Sequence, residues 1–325
     1  MRVLHLDSGK TMRGGQWQAL RLVQGLSAFS TLLARHGSPL FEAAAEAGLH
    51  VESLGLVRAA ILARRYDLIH AHDSQSHTLA ALVGGAPLVV SRRVAFGGTN
   101  WQAEAPAPQG RGAATVGQAL PPASSSSSPS ANWKYRRPAR YIAVSEYVKS
   151  VLAARGICPD RIAVVYDGVP MLDNSTPPGD PPRILAPANA DDPRKGAALV
   201  IEAAHLAGVA VEFSAAMERD LPGASLFLYI THSEGLGSGA LLAMSAGVPV
   251  IASNVGGLRE FVRHEENGLL VENTPDAIAA AIRRVRADPA LASALRRAGR
   301  RTVADRFTID LMVRRTMEVY RQVLT

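Results

Sequence analysis

The sequence predicts an α/β protein made of two open, doubly wound units with a cleft between them. Three observations carry this. Short apolar runs alternate with helical patterns over residues 3–165 and again from 183 onward, which is the rhythm of a parallel sheet. Residues 170–182 hold five prolines and Gly179, a linker composition. The length of 325 residues suits two domains of about 150 residues each.

The first strand, residues 3–6, runs into the turn Asp7-Ser8-Gly9. Gly14-Gly15 then opens a helix on which Trp17, Leu20, Val23 and Leu26 recur at helical spacing, with Leu22 beside them. A helix over 39–47 ends at Gly48, a strand covers 49–54, and a further helix covers 57–65. Asp67-Leu68-Ile69-His70-Ala71-His72 reads as a strand with a polar end. A short helix over 78–83 stops at Gly84-Gly85, and a strand over 87–91 follows. Residues 105–132 break the rhythm, with Pro, Ser, Ala and Gly dominant and five serines in a row at 124–128. Such a stretch buries too little apolar surface to offset its ordering entropy, so a disordered insertion is expected. A lid that orders on binding is the functional alternative. Tyr141-Ile142-Ala143-Val144-Ser145-Glu146 hands a strand to a helix that Ser145 caps and that ends near Gly156. A strand over 161–165 closes the first unit.

In the second unit, strands are expected at 183–186, 209–213, 226–230, 248–252 and 269–271. Helices are expected at 197–206, 238–246 and 258–262. Thr274-Pro275 is an N-cap and N1 pair for the next helix. Leu311, Val313, Met317 and Tyr320 space a final amphipathic helix. The organisation read from this is an N-terminal domain at 1–168, a C-terminal domain at 169–306, and a last helix at 307–325 that packs back on the first domain.

Composition narrows the function classes. With 47% hydrophobic and 19% charged residues the chain is not wholly disordered. At 5% aromatic, its core is aliphatic. One cysteine, Cys158, excludes an internal disulfide and a four-cysteine zinc site, while nine histidines leave a histidine–carboxylate site open. The start lacks a secretory h-region, and the uncharged stretch 235–258 is broken by glycines and Pro249, so a cytoplasmic protein is expected. The net charge of +7 suits phosphates, anionic lipid or nucleic acid, or plain solubility. Arg283, Arg284, Arg286, Arg296, Arg297, Arg300 and Arg301 read as solvated helix faces.

Four constellations bear on chemistry. His232-Ser233-Glu234-Gly235-Leu236-Gly237-Ser238-Gly239 follows a strand and precedes a helix. Glycines there let the backbone approach a bound group, and free N–H groups at the helix start attract a phosphate. Glu234 at its rim could accept hydrogen bonds from hydroxyls. A turn needed only for packing explains the spacing equally well. Asp192-Pro193-Arg194-Lys195-Gly196 also lies between strand and helix, with Lys195 a point charge for a phosphate. His70-Ala71-His72-Asp73 with His77 offers a competing metal-dependent chemistry, because residues i and i+2 on a strand point the same way. No second ligand cluster supports it, and no metal is expected. His70 and His72, and the next strand's Arg92-Arg93, are expected to face the cleft.

Taken in order, the 141–146 run with Gly156, Asp167-Gly168-Val169, Arg194-Lys195-Gly196, Glu234-Gly235-Leu236-Gly237, Gly247-Val248-Pro249-Val250, Gly256-Gly257 and Asn267-Gly268-Leu269-Leu270-Val271 form a series. That series resembles the family 4 (group 1) glycosyltransferases, loosely over 1–104 and closely over 133–325. The resemblance implies the GT-B fold, two Rossmann-like domains facing a central cleft. It implies a retaining transfer without a bound metal or other cofactor. The donor would be a nucleotide-diphosphate sugar (UDP-, GDP- or ADP-sugar) and the acceptor a glycan or lipid-linked molecule. It assigns Lys195 to the donor phosphates, Glu234 to the donor sugar, and Gly235, Leu236, Gly237, Ser238 and Gly239 to the diphosphate. Gly14 and Gly15 match the glycine loop facing the diphosphate across the cleft. His70, His72, Arg92 and Arg93 become acceptor-side candidates.

Two positions depart from the family pattern. Leu242 stands where a second glutamate would read the ribose, and Ala190 where an arginine precedes the lysine. The stretch from Lys195 to Glu234 is also short by about one βα unit. A degenerate, non-catalytic homologue that binds a partner is therefore the alternative reading. The basic run Lys134-Tyr135-Arg136-Arg137-Pro138-Ala139-Arg140 suits a peripheral contact at the inner membrane face. No nucleic-acid module accompanies it.

Overall fold

The computed structural model describes residues 1–93, 133–173, 175, 179, 182–188, 192 and 195–325. The expected insertion at 105–132 and Ala190 lie outside them. The first sheet has seven strands: β1 (Val3–Asp7), β2 (Ser30–Ala34), β3 (Val51–Ser53), β4 (Leu68–Ala71), β5 (Leu88–Arg92), β6 (Arg140–Ala143) and β7 (Ile162–Val164). They pair in parallel in the order β3-β2-β1-β4-β5-β6-β7. The connecting helices are α1 (Gly14–Gly25), α2 (Pro39–Glu46), α3 (Leu56–Ala63), α4 (Ser74–Val83), α5 (Trp133–Arg136) and α6 (Glu146–Ala154).

The second sheet is also parallel, with β8 (Ile184–Pro187), β9 (Glu212–Ser214), β10 (Leu226–Tyr229), β11 (Val250–Ser253) and β12 (Leu269–Val271) in the order β12-β11-β10-β8-β9. Its helices are α7 (Ala197–Ala207), α8 (Met217–Asp220), α9 (Ser238–Ser245), α10 (Pro275–Ala287) and α11 (Pro289–Arg306). The last helix, α12 (Ile309–Leu324), lies on the first sheet. Its Met312, Val319 and Tyr320 are buried with Val3, Leu22, Leu68, Val89 and Ile142.

Most elements fall where the hydrophobic pattern puts them. One strand differs: the sequence reading has nothing at Ser30–Ala34. Leucine and alanine there favour helix locally, but β2 is buried along its whole length and pairs with β1 on one side and β3 on the other. Tertiary pairing overrides propensity. Helix α4 begins four residues ahead of the expected 78, because Asp73 accepts from the N–H groups of Gln75 and Ser76. The helix expected at 258–262 is a short 3-10 turn at Gly256–Glu260.

The topology places the functional edges. In open α/β sheets, ligands gather at the carboxyl ends of strands where the strand order reverses. In the first sheet that point lies between β1 and β4, and in the second between β8 and β10. The two carboxyl edges meet. Ser145, the N-cap of α6, donates its hydroxyl to the carbonyl of Gly235 at 2.6 Å. Glu260 accepts from the N–H groups of Glu146 (3.0 Å) and Tyr147 (2.8 Å), placing a carboxylate on the positive end of α6. Arg21 on α1 pairs with Glu218 on α8 at 2.5 Å.

Candidate active site

Lys195 enters from the loop after β8 and Glu234 from the loop after β10, adjacent parallel strands at the switch point. Lys195 Nζ lies 2.8 Å from Glu234 Oε2. The Tyr229 hydroxyl, at the end of β10, donates to the same oxygen at 2.8 Å, and the Gly235 N–H donates to Oε1 at 3.0 Å. The carboxylate is thus held by three donors from three directions. Burial and the adjacent Glu234 charge push the Tyr229 phenol well above its usual range, so it stays a donor.

The chain from Glu234 to Gly239 runs tight against its surroundings. A Cβ at Gly235 would overlap the carbonyl oxygen of Arg93, across the cleft. Gly237, at φ 106°, is the N-cap of α9, and a Cβ there would reach 2.5 Å from Leu258 Cδ2. A Cβ at Gly239 would come 2.8 Å from the Tyr229 ring. Gly256 and Gly257 lie against this turn, where added Cβ atoms would overlap the carbonyl oxygens of Glu234 and Gly235. The first N–H groups of α9, at Ser238 and Gly239, have no partner within the helix, and this helix start lies against the first sheet. There Gly14 stands so close that a Cβ on it would lie 3.2 Å from Ser238 Oγ.

Behind Gly14-Gly15 lies Arg93, whose Cδ would sit 3.7 Å from a Cβ at Gly15. Arg93 Nε contacts Asp167 Oδ1 at 3.2 Å, both side chains nearly buried. Burial raises the Asp167 carboxyl and Arg93 opposes that. Asp7, at the end of β1, is raised by burial and by Asp73. Its carboxylate holds the Gly9 N–H and the Gln16 side chain, which fixes the loop before α1. A lysine ammonium, helix-start N–H groups and close-packed glycine backbone on two facing edges can hold a diphosphate.

A family model described as glycosyl transferases group 1 matches residues 211–302, and one described as glycosyltransferase family 4 matches residues 19–171. The chain belongs to the group 1, family 4 glycosyltransferases. This family chain is 37% identical over 89 residues to an uncharacterised glycosyltransferase of Methanocaldococcus jannaschii, covering 27% of the chain and 23% of that relative. It is 41% identical over 102 residues to the D-inositol 3-phosphate glycosyltransferase of Acidothermus cellulolyticus, covering 31% and 22%. These matches span about a quarter of the relatives' length. Among solved structures it is similar to Anabaena HepE in complex with UDP and glucose, with a TM-score of 0.80 at 16% identity, covering 99% of the chain and 100% of that one. Sucrose-phosphate synthase from Thermosynechococcus elongatus gives 0.74 at 17% identity, covering 99% of each. These likenesses confirm the GT-B fold.

The fold brings Lys195, Glu234, the Gly235–Gly239 backbone and Gly14 into one place, with Arg93 beside them. The other acceptor-side candidates differ from expectation. His70 is fully buried, with Nδ1 2.6 Å from the Tyr320 hydroxyl and Nε2 2.8 Å from Ser91 Oγ, so it does not face the cleft. His72 is buried against His5, whose Nδ1 lies 3.0 Å from its Nε2. Arg92 is buried on the opposite side of β5 from Arg93, 2.9 Å from His77 Nδ1 and over the Tyr135 ring. Strand alternation separates the two arginines.

As i, i+2 spacing predicts, His70 and His72 share a side, and with His5 their ring nitrogens lie within 4.8 Å of one another. Both nitrogens of His70 are already engaged. Asp73 is occupied as the α4 cap and by Ser8, and His77 faces Arg92. Leu242 is buried in the apolar core, so α9 presents no carboxylate there. Sequence reasoning missed Tyr229, Asp7 and the Arg93–Asp167 pair. Each sits at or just past a strand's carboxyl end, and that position was the available signal.

Proposed function

We propose that this chain is a retaining glycosyltransferase that moves a sugar from a nucleotide-diphosphate sugar to a glycan or lipid-linked acceptor. The observation that carries the reading is the Lys195–Glu234 pair at the switch point of the second sheet, beside the open start of α9 and opposite Gly14. In this reading residues 169–306 hold the donor and residues 1–168 the acceptor. Lys195 and the N–H groups of Ser238 and Gly239 neutralise the diphosphate. Glu234 accepts hydrogen bonds from sugar hydroxyls. The bond from the anomeric carbon to the diphosphate breaks as the acceptor oxygen bonds to that carbon. The acceptor's proton passes to the departing phosphate oxygen. Fixed donors aimed at the growing negative charge supply the rate enhancement.

Anabaena HepE in complex with UDP-glucose, and a GDP-mannose-dependent mannosyltransferase of Mycobacterium tuberculosis 38% identical over 89 residues, support a nucleotide-sugar donor. Among the described residues no helix is long and apolar enough to cross a membrane. Calorimetric titration with UDP-, GDP- and ADP-sugars tests the reading. Saturable binding of one of them is expected. Absence of binding at millimolar concentration overturns the donor site and leaves a non-catalytic homologue.

A further inference from the structure

The Gln18 side chain on α1 is 0% exposed, yet neither its amide nitrogen nor its amide oxygen has a hydrogen-bond partner among the described residues. An amide buried unpaired is costly, and native folds rarely keep one without a use for it. Its place on the helix is specific. Gly14, Gln18 and Arg21 follow i, i+4, i+7 spacing and share one stripe of α1. Both ends of that stripe touch the second domain. A Cβ at Gly14 would lie 3.2 Å from Ser238 Oγ, and Arg21 pairs with Glu218. Gln18 therefore lies between two contacts that span the cleft.

The sheet beneath α1 changes character along its strands. Toward the amino ends, Leu22 and Leu26 pack with Val3, Leu68 and Val89. Counting by twos from these residues puts His5 and Asp7, His70 and His72, and Ser91 and Arg93 on the same side toward the carboxyl ends. Gln18, four residues before Leu22, sits one turn nearer that polar end. Two further buried atoms there lack partners among the described residues, His72 Nδ1 and Arg93 Nη1. Arg93 comes in beside Gly15, one turn before Gln18 on the same helix. These atoms suit uncharged hydroxyls. A carboxamide offers a donor and an acceptor, and a hydroxyl returns both. The cations here are already matched, Arg93 by Asp167 at 3.2 Å and Arg21 by Glu218, and buried Asp7 adds a carboxylate. A phosphate or carboxylate would meet no surplus of positive charge in this layer.

We propose that Gln18, with Arg93 Nη1 beside it, is a subsite that reads the hydroxyls of a neutral sugar ring, which enters as the two edges part. The inference rests on the proposed transfer reaction for making that ring the acceptor.

The test is saturation-transfer NMR of the full chain, without donor, against the methyl glycosides of glucose, galactose and mannose, and against methyl glucuronide and glucose 6-phosphate. Saturation transfer to a neutral glycoside is expected, with neither anion binding more tightly. Gln18→Met keeps the side chain's length and removes both polar atoms. It should weaken that glycoside roughly tenfold, while its melting temperature stays at or above the parent's, because the free protein loses an unpaired amide. Arg93→Lys keeps a cation beside Asp167 and should weaken the glycoside by about threefold or more. Gln24→Met, at an exposed site on the same helix, should change neither readout. Four results overturn the proposal: no saturation transfer to any neutral glycoside, tighter binding of either anion, undiminished binding by Gln18→Met or Arg93→Lys, or a Gln18→Met protein that melts well below the parent, which would make the amide a structural group. Titration of the parent with UDP-, GDP- and ADP-sugars keeps the two readings apart. A chain that binds a methyl glycoside but no sugar nucleotide defeats the donor site alone. One that binds a sugar nucleotide but no methyl glycoside defeats this subsite alone.

Discussion

Lys195 Nζ and Glu234 Oε2 stand 2.8 Å apart on loops that leave adjacent parallel strands. The pair separates two tasks that a bound sugar nucleotide would demand. The ammonium suits phosphate, whereas the carboxylate repels phosphate and suits hydroxyls. Lys195→Ala should therefore weaken a nucleoside diphosphate and its sugar conjugate alike, by tenfold or more, a loss of about 1.5–3 kcal/mol. Glu234→Gln should weaken only the conjugate and leave the bare diphosphate unchanged or tighter. Calorimetry with both ligands checks this. Parallel losses in both variants would remove the sugar-facing role of Glu234.

The glycine at 235 has no room for a side chain, because its added Cβ would overlap the Arg93 carbonyl oxygen. Backbone cannot yield as a flexible side-chain tip can. Gly235→Ala should push the two sheet edges apart, lowering donor affinity at least about tenfold and destabilising by roughly 1–3 kcal/mol. Gly15→Ala, with Arg93 Cδ 3.7 Å from the new Cβ, makes an ordinary contact and should be tolerated. Thermal melts and donor titration of the two variants, side by side, decide it. An unperturbed Gly235→Ala protein would show that the close approach is not needed.

What was legible in the sequence follows from where local signals are strong. Strands buried on both faces announce themselves as short apolar runs, and α6, α10 and α12 carry capping residues that hydrogen-bond as their types suggest. Strand β2 was not legible, since its Ser-Thr-Leu-Leu-Ala composition lacks β-branched enrichment and its stability comes from two neighbours distant in sequence. The site was legible as loops: Lys195, Glu234 and the glycines lie where glycine-rich turns follow strands. Orientation within it was not. Arg92 and Arg93 are consecutive, and only the strand's register decides that one points into the core beneath Tyr135 and the other toward Asp167. Nor could the partner of His70 be read, because Tyr320 comes from the far end of the chain.

Burial holds four histidines neutral: it lowers His5 to about 3, His77, with help from Arg92, to about 4, and His70 and His72 well below the usual value, with nearby histidines and Arg93 adding to the effect. The unfolded chain takes up protons on these groups below about pH 6.5 and the folded chain refuses them. Their contribution is complete above that pH and is lost as pH falls through the window from 6.5 toward 3. His5 alone accounts for about 1.4 kcal/mol between pH 7.5 and 5.5. Asp7 and Asp167, raised chiefly by burial, act with the opposite sign, since the folded chain keeps protons that the unfolded one releases above its ordinary range. A difference experiment isolates one histidine. Urea denaturation at the two pH values should show His5→Asn losing about 1.4 kcal/mol of the parent's pH dependence. Identical dependence in both proteins would contradict a neutral buried His5.

The Tyr320 hydroxyl and His70 Nδ1, 2.6 Å apart, tie the last helix to the central strand β4. Both groups are fully buried, and burial raises the phenol well above its usual range, so the tyrosine keeps its proton and donates it. His70 then carries its own proton on Nε2 and donates to Ser91 Oγ at 2.8 Å. Tyr320→Phe keeps the ring's packing and leaves Nδ1 without a partner where water does not reach. The expected cost is about 1–3 kcal/mol, more than the net value of an ordinary hydrogen bond, because an acceptor is stranded. Adding His70→Phe to Tyr320→Phe removes the stranded nitrogen. The double variant should thus lose less than the sum of the two single losses, by roughly 1 kcal/mol or more. Equilibrium denaturation of the parent, both singles and the double measures that coupling. Strict additivity would mean that α12 is held by its apolar face alone.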